Sequence, residues 1–378
     1  MCYITQRQIK NIRKLVEPGR IIVLYGPRRT GKTTLLKKVM ESERSVPGLF
    51  INAEDRDEQK ILDRESIIPM GDVLNNRSLL FIDEAPVVEQ LGTKLKIIAD
   101  AAPELPILLS GSCSLDIVPG GEADLPGTPV FLTQYPLAEM EIARAEELKG
   151  EGNRLEARLI YGAYPEVVLM SNRHLREEYL REYGKAFLYR DIMEMEHLIY
   201  TNRLEQLLRY LALRIGRDVN MADLAKDLEI SEEQAERYLS LFEKLFFIFR
   251  LRGLKQAMPE DSVEKRRYYF YDNGIRNAVI GNFDPLEKRD DIQQLWENYV
   301  VMERLKRQEY LLQRCPTSFW RRQDAGEIDL IEEREGRLDG YDIRWESEHE
   351  TLLHEWGVTY PDDTVTAIHR ENYLKFIL

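Results

Sequence analysis

Short continuous apolar runs, rather than alternating ones, organise the first third of the chain. "RIIVLYG", "GLFINAE", "SLLFIDEA" and "PILLSGSCS" are each unbroken in their hydrophobic residues, as strands buried on both faces must be. Between them lie stretches with helical spacing, such as "GKTTLLKKVMES". Strand and helix in alternation predict a parallel sheet covered by helices, an α/β fold. The glycine- and proline-rich "VPGGEADLPGTPV" breaks the alternation and reads as a loop. Beyond it, "YPLAEMEIARAEELKGEG" opens a helical region that runs to about Tyr200, interrupted at "YGAYPEV".

Downstream the period changes twice. "RLEQLLRYLALRIG" is an amphipathic helix, and "NMADLAKDL" is a second one with Asn220 as its N-cap. Ser231 and Gln234 form a capping-box pattern that opens a third, "EEQAERYLSLFEKL". "FFIFRLRG" and "RRYYFYD" then read as strands, so residues 203–250 and the following segment predict a winged helix-turn-helix. From Ile292 the pattern is a helix ("QQLWENYVVMERLKR"), three strands ("TSFWRRQ", "GEIDLIEE", "GYDIRWES") and a late strand ("TVTAIH"), an α+β ending.

The chemistry concentrates where the first strand ends. "YGPRRTGKTTLL" spells Gly26-x-x-x-x-Gly31-Lys32-Thr33 between a strand and a Leu-rich helix, the pattern of a phosphate-binding P-loop. Little side chain is wanted there because backbone N–H groups must wrap closely around phosphate oxygens. Gly26, Pro27, Arg28, Arg29, Thr30 and Gly31 form that cradle. Lys32 reaches the β- and γ-phosphates, and the Thr33 hydroxyl holds Mg²⁺. Thr34 lies in the first turn of a helix whose positive dipole end faces the phosphates.

A second motif, "LLFIDEA", ends in Asp83 and Glu84. Adjacent carboxylates at a strand tip point differently, so Asp83 can join the Mg²⁺ shell while Glu84 polarises the attacking water. This is a Walker B arrangement, and its Asp-Glu pair favours an AAA-type ATPase over a small-molecule kinase. Lys32 and Glu84 are the candidate catalytic residues, with ATP and Mg²⁺ as the expected cofactors. On "ILLSGSCS", Ser110 and Ser112 sit where a polar side chain reports the γ-phosphate; a serine pair that merely starts a loop is the competing reading.

Composition narrows the setting. A chain of 378 residues exceeds the usual single domain, and 43% hydrophobic with 31% charged residues describes a foldable protein. Apolar runs are too short to span a bilayer and Met1 to Arg20 lacks a signal-peptide core, so no membrane partner and a cytoplasmic location are expected. The three cysteines and five histidines show no metal-ligand spacing. A net charge of −13 argues against a protein coated in nucleic acid. That charge is uneven: residues 1–38 carry ten Lys/Arg against Glu17 alone, or +9, whereas residues 291–378 carry 19 acidic and 11 basic residues, or −8. The basic start suits nucleotide phosphates, an acidic partner or nucleic acid; a solvated helix from Arg7 to Val16 is the plainer account.

Taken together, these motifs resemble the bacterial and archaeal AAA-type ATP-binding proteins whose P-loop domain precedes a conserved domain of unknown function. "YGPRRTGKTTLL" and "LLFIDEA" are the most specific matches. "LLSGSCS", "YPLAEMEI", "YGAYPEVV", "YLREYGKAFLYRDI", "YYFYDNGIRNAV", "LWENYVVMERL" and "FWRRQDAGEIDLI" extend the resemblance over nearly the whole chain. It implies ATP binding, a cytosolic location and an ending like a restriction-endonuclease core. The expected division is an ATPase domain at 1–140, a helical linker with a winged helix at 141–262, and a degenerate nuclease-like α+β domain at 263–378.

Two departures from the family matter. Its members commonly have an arginine after the sensor loop, where "DLPGT" here places Thr128. An arginine there stabilises charge on a transferring phosphoryl group, so slow hydrolysis is expected. The nuclease-like pattern wants a helix glutamate, a strand aspartate and Glu-x-Lys on the next strand; this chain offers Glu297, Asp329 and Asp342-Ile343-Arg344. Alternation puts Glu327 with Asp329 on one strand face and Asp342 with Arg344 on one face of the next, where carboxylates could gather Mg²⁺. Arg344, however, stays protonated and cannot act as a base.

The third helix of the helix-turn-helix begins Ser231-Glu232-Glu233-Gln234, with Glu236 next, where a major-groove reader presents Arg, Lys, Asn or Gln. Weak DNA contact and packing against a neighbour are therefore expected. Three functions stay open from sequence. One is a slow Mg²⁺-dependent ATPase whose nucleotide state switches domain or protein-partner contacts, self-association included. Another is an ATP-driven enzyme acting on nucleic acid with a weak nuclease. The third is a nucleotide-binding interaction module that does not hydrolyse.

Overall fold

The structure, a computed structural model, describes residues 3–42, 48–62, 74, 77–113, 125–149, 155–196, 202–254, 265–322, 326–346, 356–357, 360 and 363–378. The chain divides into two units, Met1–Leu137 with Lys244–Phe246, and Ala138–Glu243 with Phe247–Leu378.

The first unit is built on β1 (Ile21–Tyr25), β2 (Leu49–Asn52), β3 (Leu80–Asp83), β4 (Ile107–Gly111) and β5 (Val130–Thr133). They form one parallel sheet in the order β2-β3-β4-β1-β5. Alternate residues of each central strand feed two separate cores. Ile21, Val23, Leu80, Ile82, Ile107 and Leu109 pack with Leu91, Leu95 and Ile98 of the helix Leu91–Ala101. Ile22, Leu24, Phe81 and Leu108 pack on the other side, with Ile9 and Ile12 of the helix Gln8–Leu15 and Leu35, Leu36 and Val39 of the helix Lys32–Ser42. Each such aliphatic side chain contributes about 1.5–3 kcal/mol when buried, and a strand covered on both faces has no position to spare for a polar group. That is why the runs are continuous. Four of the five strands coincide with them; β5 is the exception, a four-residue edge strand with only Leu132 fully buried, hidden in sequence behind the Gly/Pro-rich loop.

Polar residues collect at the carboxyl ends of these strands. From β1 the chain crosses to β2 at one edge, returns through β3 and β4 to the flank of β1, and then places β5 on its other flank. The order reverses beside β1, and the strand ends at such a reversal are the usual ligand position in open parallel sheets.

In the second unit, the helices Glu139–Lys149, Leu155–Tyr161 and Arg173–Glu196 precede three further helices, Asn202–Ala212, Met221–Leu228 and Glu232–Lys244. Asn220 caps the second of these three through Ala222 N and Asp223 N, as its sequence position implies. Ser231 Oγ accepts from Gln234 N at 3.1 Å, but the Gln234 carboxamide turns forward to Tyr238 instead of closing a capping box. An antiparallel pair follows, β6 (Ile248–Arg252) with β7 (Arg266–Phe270). The helix Ile292–Tyr310 then leads into a mixed sheet ordered β11-β10-β9-β8, from β8 (Thr317–Arg322), β9 (Gly326–Arg334), β10 (Arg337–Ile343) and β11 (Thr364–Ile368). β8 to β10 are antiparallel neighbours, and β11 lies parallel to β10.

Candidate active site

β1 ends at Tyr25, and residues 26–31 turn back into the helix Lys32–Ser42. Gly26 has φ +150°, and a Cβ there would lie 1.9 Å from the Gln134 carbonyl oxygen, so only glycine fits. Gly31 has φ +93° and Arg29 φ +60°, while Thr30 Oγ1 donates to the Pro27 carbonyl at 2.9 Å and closes the turn from inside. Lys32 is buried, its Nζ donating to the carbonyls of Gly26 and Pro27 at 2.8 Å each. Burial lowers its pKa to about 8, partly opposed by the carboxylates of Glu84 and Asp83. The loop is thus shaped by its own lysine, and a cation waits beside a backbone cradle. Arg29 and Thr34 are exposed; Arg28 is partly buried and pairs with Glu54 at 3.5 Å.

The second motif converges on the same place. Thr33 Oγ1 donates to Asp83 Oδ2 at 2.6 Å, joining the start of the helix to the tip of β3. Two hard oxygen ligands side by side suit Mg²⁺, which prefers one or two protein oxygens and keeps its remaining positions for phosphate and water. Asp83 Oδ1 accepts from Ser110 Oγ, and that hydroxyl also accepts from Glu84 N at 3.3 Å. Glu84 adopts φ +52°, a left-handed conformation that costs about 1–3 kcal/mol outside glycine and is held here by its neighbours. Its Oε2 accepts from Ser112 Oγ at 2.9 Å and from Ser112 N at 3.2 Å. The two acids diverge as adjacent residues at a strand tip should. Each takes one serine of β4 and its following turn. Ser112 therefore meets a carboxylate first, which its position alone did not reveal. Thr128 is exposed, just before β5.

The carboxyl-terminal acids are also brought together, but around a cation of the protein's own. Arg267 of β7 is 1% exposed and donates to Asp218 Oδ1 at 2.9 Å and Glu327 Oε2 at 2.8 Å. Its guanidinium lies 3.6 Å from Asp329 Oδ1 and 4.2 Å from the centre of the Phe319 ring. Asp329 Oδ2 accepts from Ile343 N at 2.8 Å, and Glu297 Oε1 accepts from Tyr269 Oη at 2.7 Å. Burial raises Asp329 to about 6, against the pull of Arg344 and Arg267. Burial and the Asp329 carboxylate push Glu297 well above the usual carboxylate range. Arg344 lies 2.7 Å from Asp342 Oδ1. The facing of Glu327 with Asp329, read from alternation, is realised, yet a guanidinium sits against both. Among the described residues, no group of three or more His, Cys, Asp or Glu side chains could hold a metal ion.

Comparison with known proteins fits this geometry. The AAA domain family matches residues 18–143. The chain carries an N-terminal AAA domain. Two domains of unknown function match farther on, DUF8612 over residues 152–286 and DUF4143 over residues 293–355. An uncharacterized protein of Mycobacterium tuberculosis is 26% identical over 352 residues, 91% of this chain and 75% of its own length. One of Methanocaldococcus jannaschii is 25% identical over 270 residues, 66% of this chain and 60% of its own. Among solved structures, the Pif1 helicase from Candida albicans shares 15% identity over 42% of this chain and 48% of its own, at a TM-score of 0.29. Domain III of the Thermotoga maritima replication initiation protein DnaA shares 12% over 49% and 87%, also at 0.29. Scores this low carry no weight for overall shape or function.

The AAA domain as matched holds all five parallel strands and every motif residue from Gly26 to Ser112. Sequence reasoning missed Glu54, Gln134 and Gln6, which touch the loop from outside the motifs. Gln134 follows the one strand that hydrophobicity did not mark. Among the described residues, no helix is long and apolar enough to cross a membrane.

Proposed function

We propose that the AAA domain binds Mg·ATP and hydrolyses it slowly, its nucleotide state changing contacts with a protein partner or a second copy of the chain in the cytoplasm. The observation that carries this reading is the meeting of Thr33 and Asp83 at 2.6 Å below a glycine loop that already holds a buried lysine. Lys32 would exchange its two carbonyl partners for β- and γ-phosphate oxygens. The N–H groups of residues 26–34 would take the remaining phosphate charge, helped by the helix dipole. Thr33 and Asp83 would hold Mg²⁺, which would supply positive charge against the phosphates. Glu84 would accept a proton from the attacking water, for which it must leave Ser112. Ser112 holds one oxygen of that carboxylate through two hydrogen bonds, and breaking them before each turnover supports a slow rate, as does Thr128 where relatives commonly have arginine.

For the remainder we keep a helical and winged-helix segment at 141–262 and a nuclease-like scaffold at 263–378 as the organisation. Three helices followed by β6 support the first, with β7, the strand that pairs with β6, lying past its boundary, and a helix before a mixed sheet supports the second. Neither is read as acting strongly on DNA. Arg250 is committed to Glu243 and Glu236, and Arg266 also to Glu236, so these two arginines meet the acids of the third helix and not a phosphate backbone. Steady-state phosphate release tests the proposal. The parent should turn over ATP slowly with Mg²⁺ and without DNA, and Glu84→Gln should keep binding while losing turnover. Equal turnover in Glu84→Gln would remove that residue from the mechanism, and strong stimulation by DNA would favour the nucleic-acid reading.

A further inference from the structure

Gln6 precedes the matched AAA domain and belongs to no motif, yet it is 2% exposed and its Nε2 donates to the Thr30 carbonyl at 2.6 Å. Its carboxamide lies 3.2–3.3 Å from where a Cβ on Gly31 would stand. Among the described residues its Oε1 has no hydrogen-bond partner. A buried acceptor left unpaired costs free energy, so filling space is not a reason to keep a carboxamide where methionine would pack.

The geometry points to Gln6 as a positioning residue of the phosphate loop, one that aims the Gly31 N–H at the nucleotide. The reason lies in the peptide plane. In a trans peptide the carbonyl of one residue and the N–H of the next point in opposite directions. Holding the Thr30 carbonyl toward Gln6, on the buried side of the loop, turns the Gly31 N–H to the opposite side, where the phosphates would be wrapped. Gly31 at φ +93° tolerates that direction, and any larger residue would also press on the Gln6 carboxamide. The segment bearing Gln6 is itself pinned. Ile4 and Ile9 are buried, Gln8 Nε2 donates to the Thr133 carbonyl at 2.8 Å, and Asn11 Nδ2 donates to Gln8 Oε1 at 2.8 Å. Gln6 therefore works from a fixed base.

This role rests on the nucleotide-site reading above, and its test separates the two. Gln6→Met and Gln6→Leu keep most of the volume, and neither donates to a carbonyl. In the full chain, Mg·ATP titrated by calorimetry should bind each about two- to tenfold more weakly, the worth of one hydrogen bond. The loss should appear in KM with kcat nearly unchanged, because the phosphate contact is the same in ground and transition states. A merely structural glutamine would lower the melting temperature and leave the affinity of the folded protein as it was. Lys32→Ala is run alongside. Parental affinity in both Gln6 variants, with binding lost in Lys32→Ala, overturns the assignment of Gln6 alone. Parental affinity in Lys32→Ala overturns the nucleotide site beneath it.

Discussion

Arg267→Met should destabilise the protein strongly, and more at pH 8 than at pH 5. Methionine retains much of the packing of the arginine stem, so the substitution mainly removes charge. What remains is Asp329 and Glu297, buried, with Glu327 and Asp218 beside them and the guanidinium between them gone. Breaking a buried ion pair by removing one partner costs about 3–5 kcal/mol. At about 2–4 °C per kcal/mol for a unit of this size, the melting temperature should fall on the order of 10 °C at pH 8. Asp329 is raised to about 6, above its unfolded value, so the folded protein binds more protons than the unfolded one. That contribution is complete at low pH and lost as pH rises through about 6. Without Arg267, which holds both acids down, their folded values climb further, and the gap from the parent should narrow toward pH 5. Unfolding followed by the fluorescence of buried Trp296 and Trp320 reads this directly. Arg321→Met is the control: Arg321 is half-exposed, 3.2 Å from Asp218, and should matter by about 1 kcal/mol or less. If Arg267→Met melts like Arg321→Met at pH 8, or its deficit is the same at pH 5, the buried cation is not what holds these acids.

Other consequences follow from the same geometry. Gly26→Ala should abolish Mg·ATP binding while far-UV dichroism stays native, since its Cβ would meet the Gln134 carbonyl at 1.9 Å; calorimetry decides. Thr33→Val preserves the branched shape but removes the hydroxyl that meets Asp83, so ATP affinity should lose most of its Mg²⁺ dependence in titrations with metal and with EDTA. Supercoiled and linear DNA incubated with the parent in Mg²⁺ or Mn²⁺ should stay intact; robust cleavage that vanishes in Asp329→Ala would restore the nuclease reading.

The phosphate loop and the acid pair were legible because their chemistry fixes spacing along the chain. A tight loop needs glycine at Gly26 and Gly31, and an acid that is to meet that loop, as Asp83 does through Thr33, must end a buried strand. The sheet was legible for a related reason, since strands such as Ile21–Tyr25 have no solvent face on which to place polar residues. What stayed hidden depends on partners far apart in sequence. Nothing in "RRYYFYD" says that Arg267 will be buried against Glu327, 60 residues on, or that Tyr269 will meet Glu297. The acids of the third helix were seen as repelling phosphate, but their pairing with Arg250 and Arg266 needed the fold. Ser112 was placed by its strand, whereas its hold on Glu84 depends on how β3 and β4 end together. Gln6 carried no signal at all.

Isothermal calorimetry of Mg·ATP against the parent and Lys32→Ala tests the central claim most directly. The parent should bind one nucleotide per chain. Deleting a buried ammonium that would contact two phosphates removes charge-assisted hydrogen bonds worth about 1.5–3 kcal/mol each, so the variant should bind at least about tenfold more weakly. Equal binding by parent and variant, or no binding by the parent, would contradict the assignment of this loop to ATP.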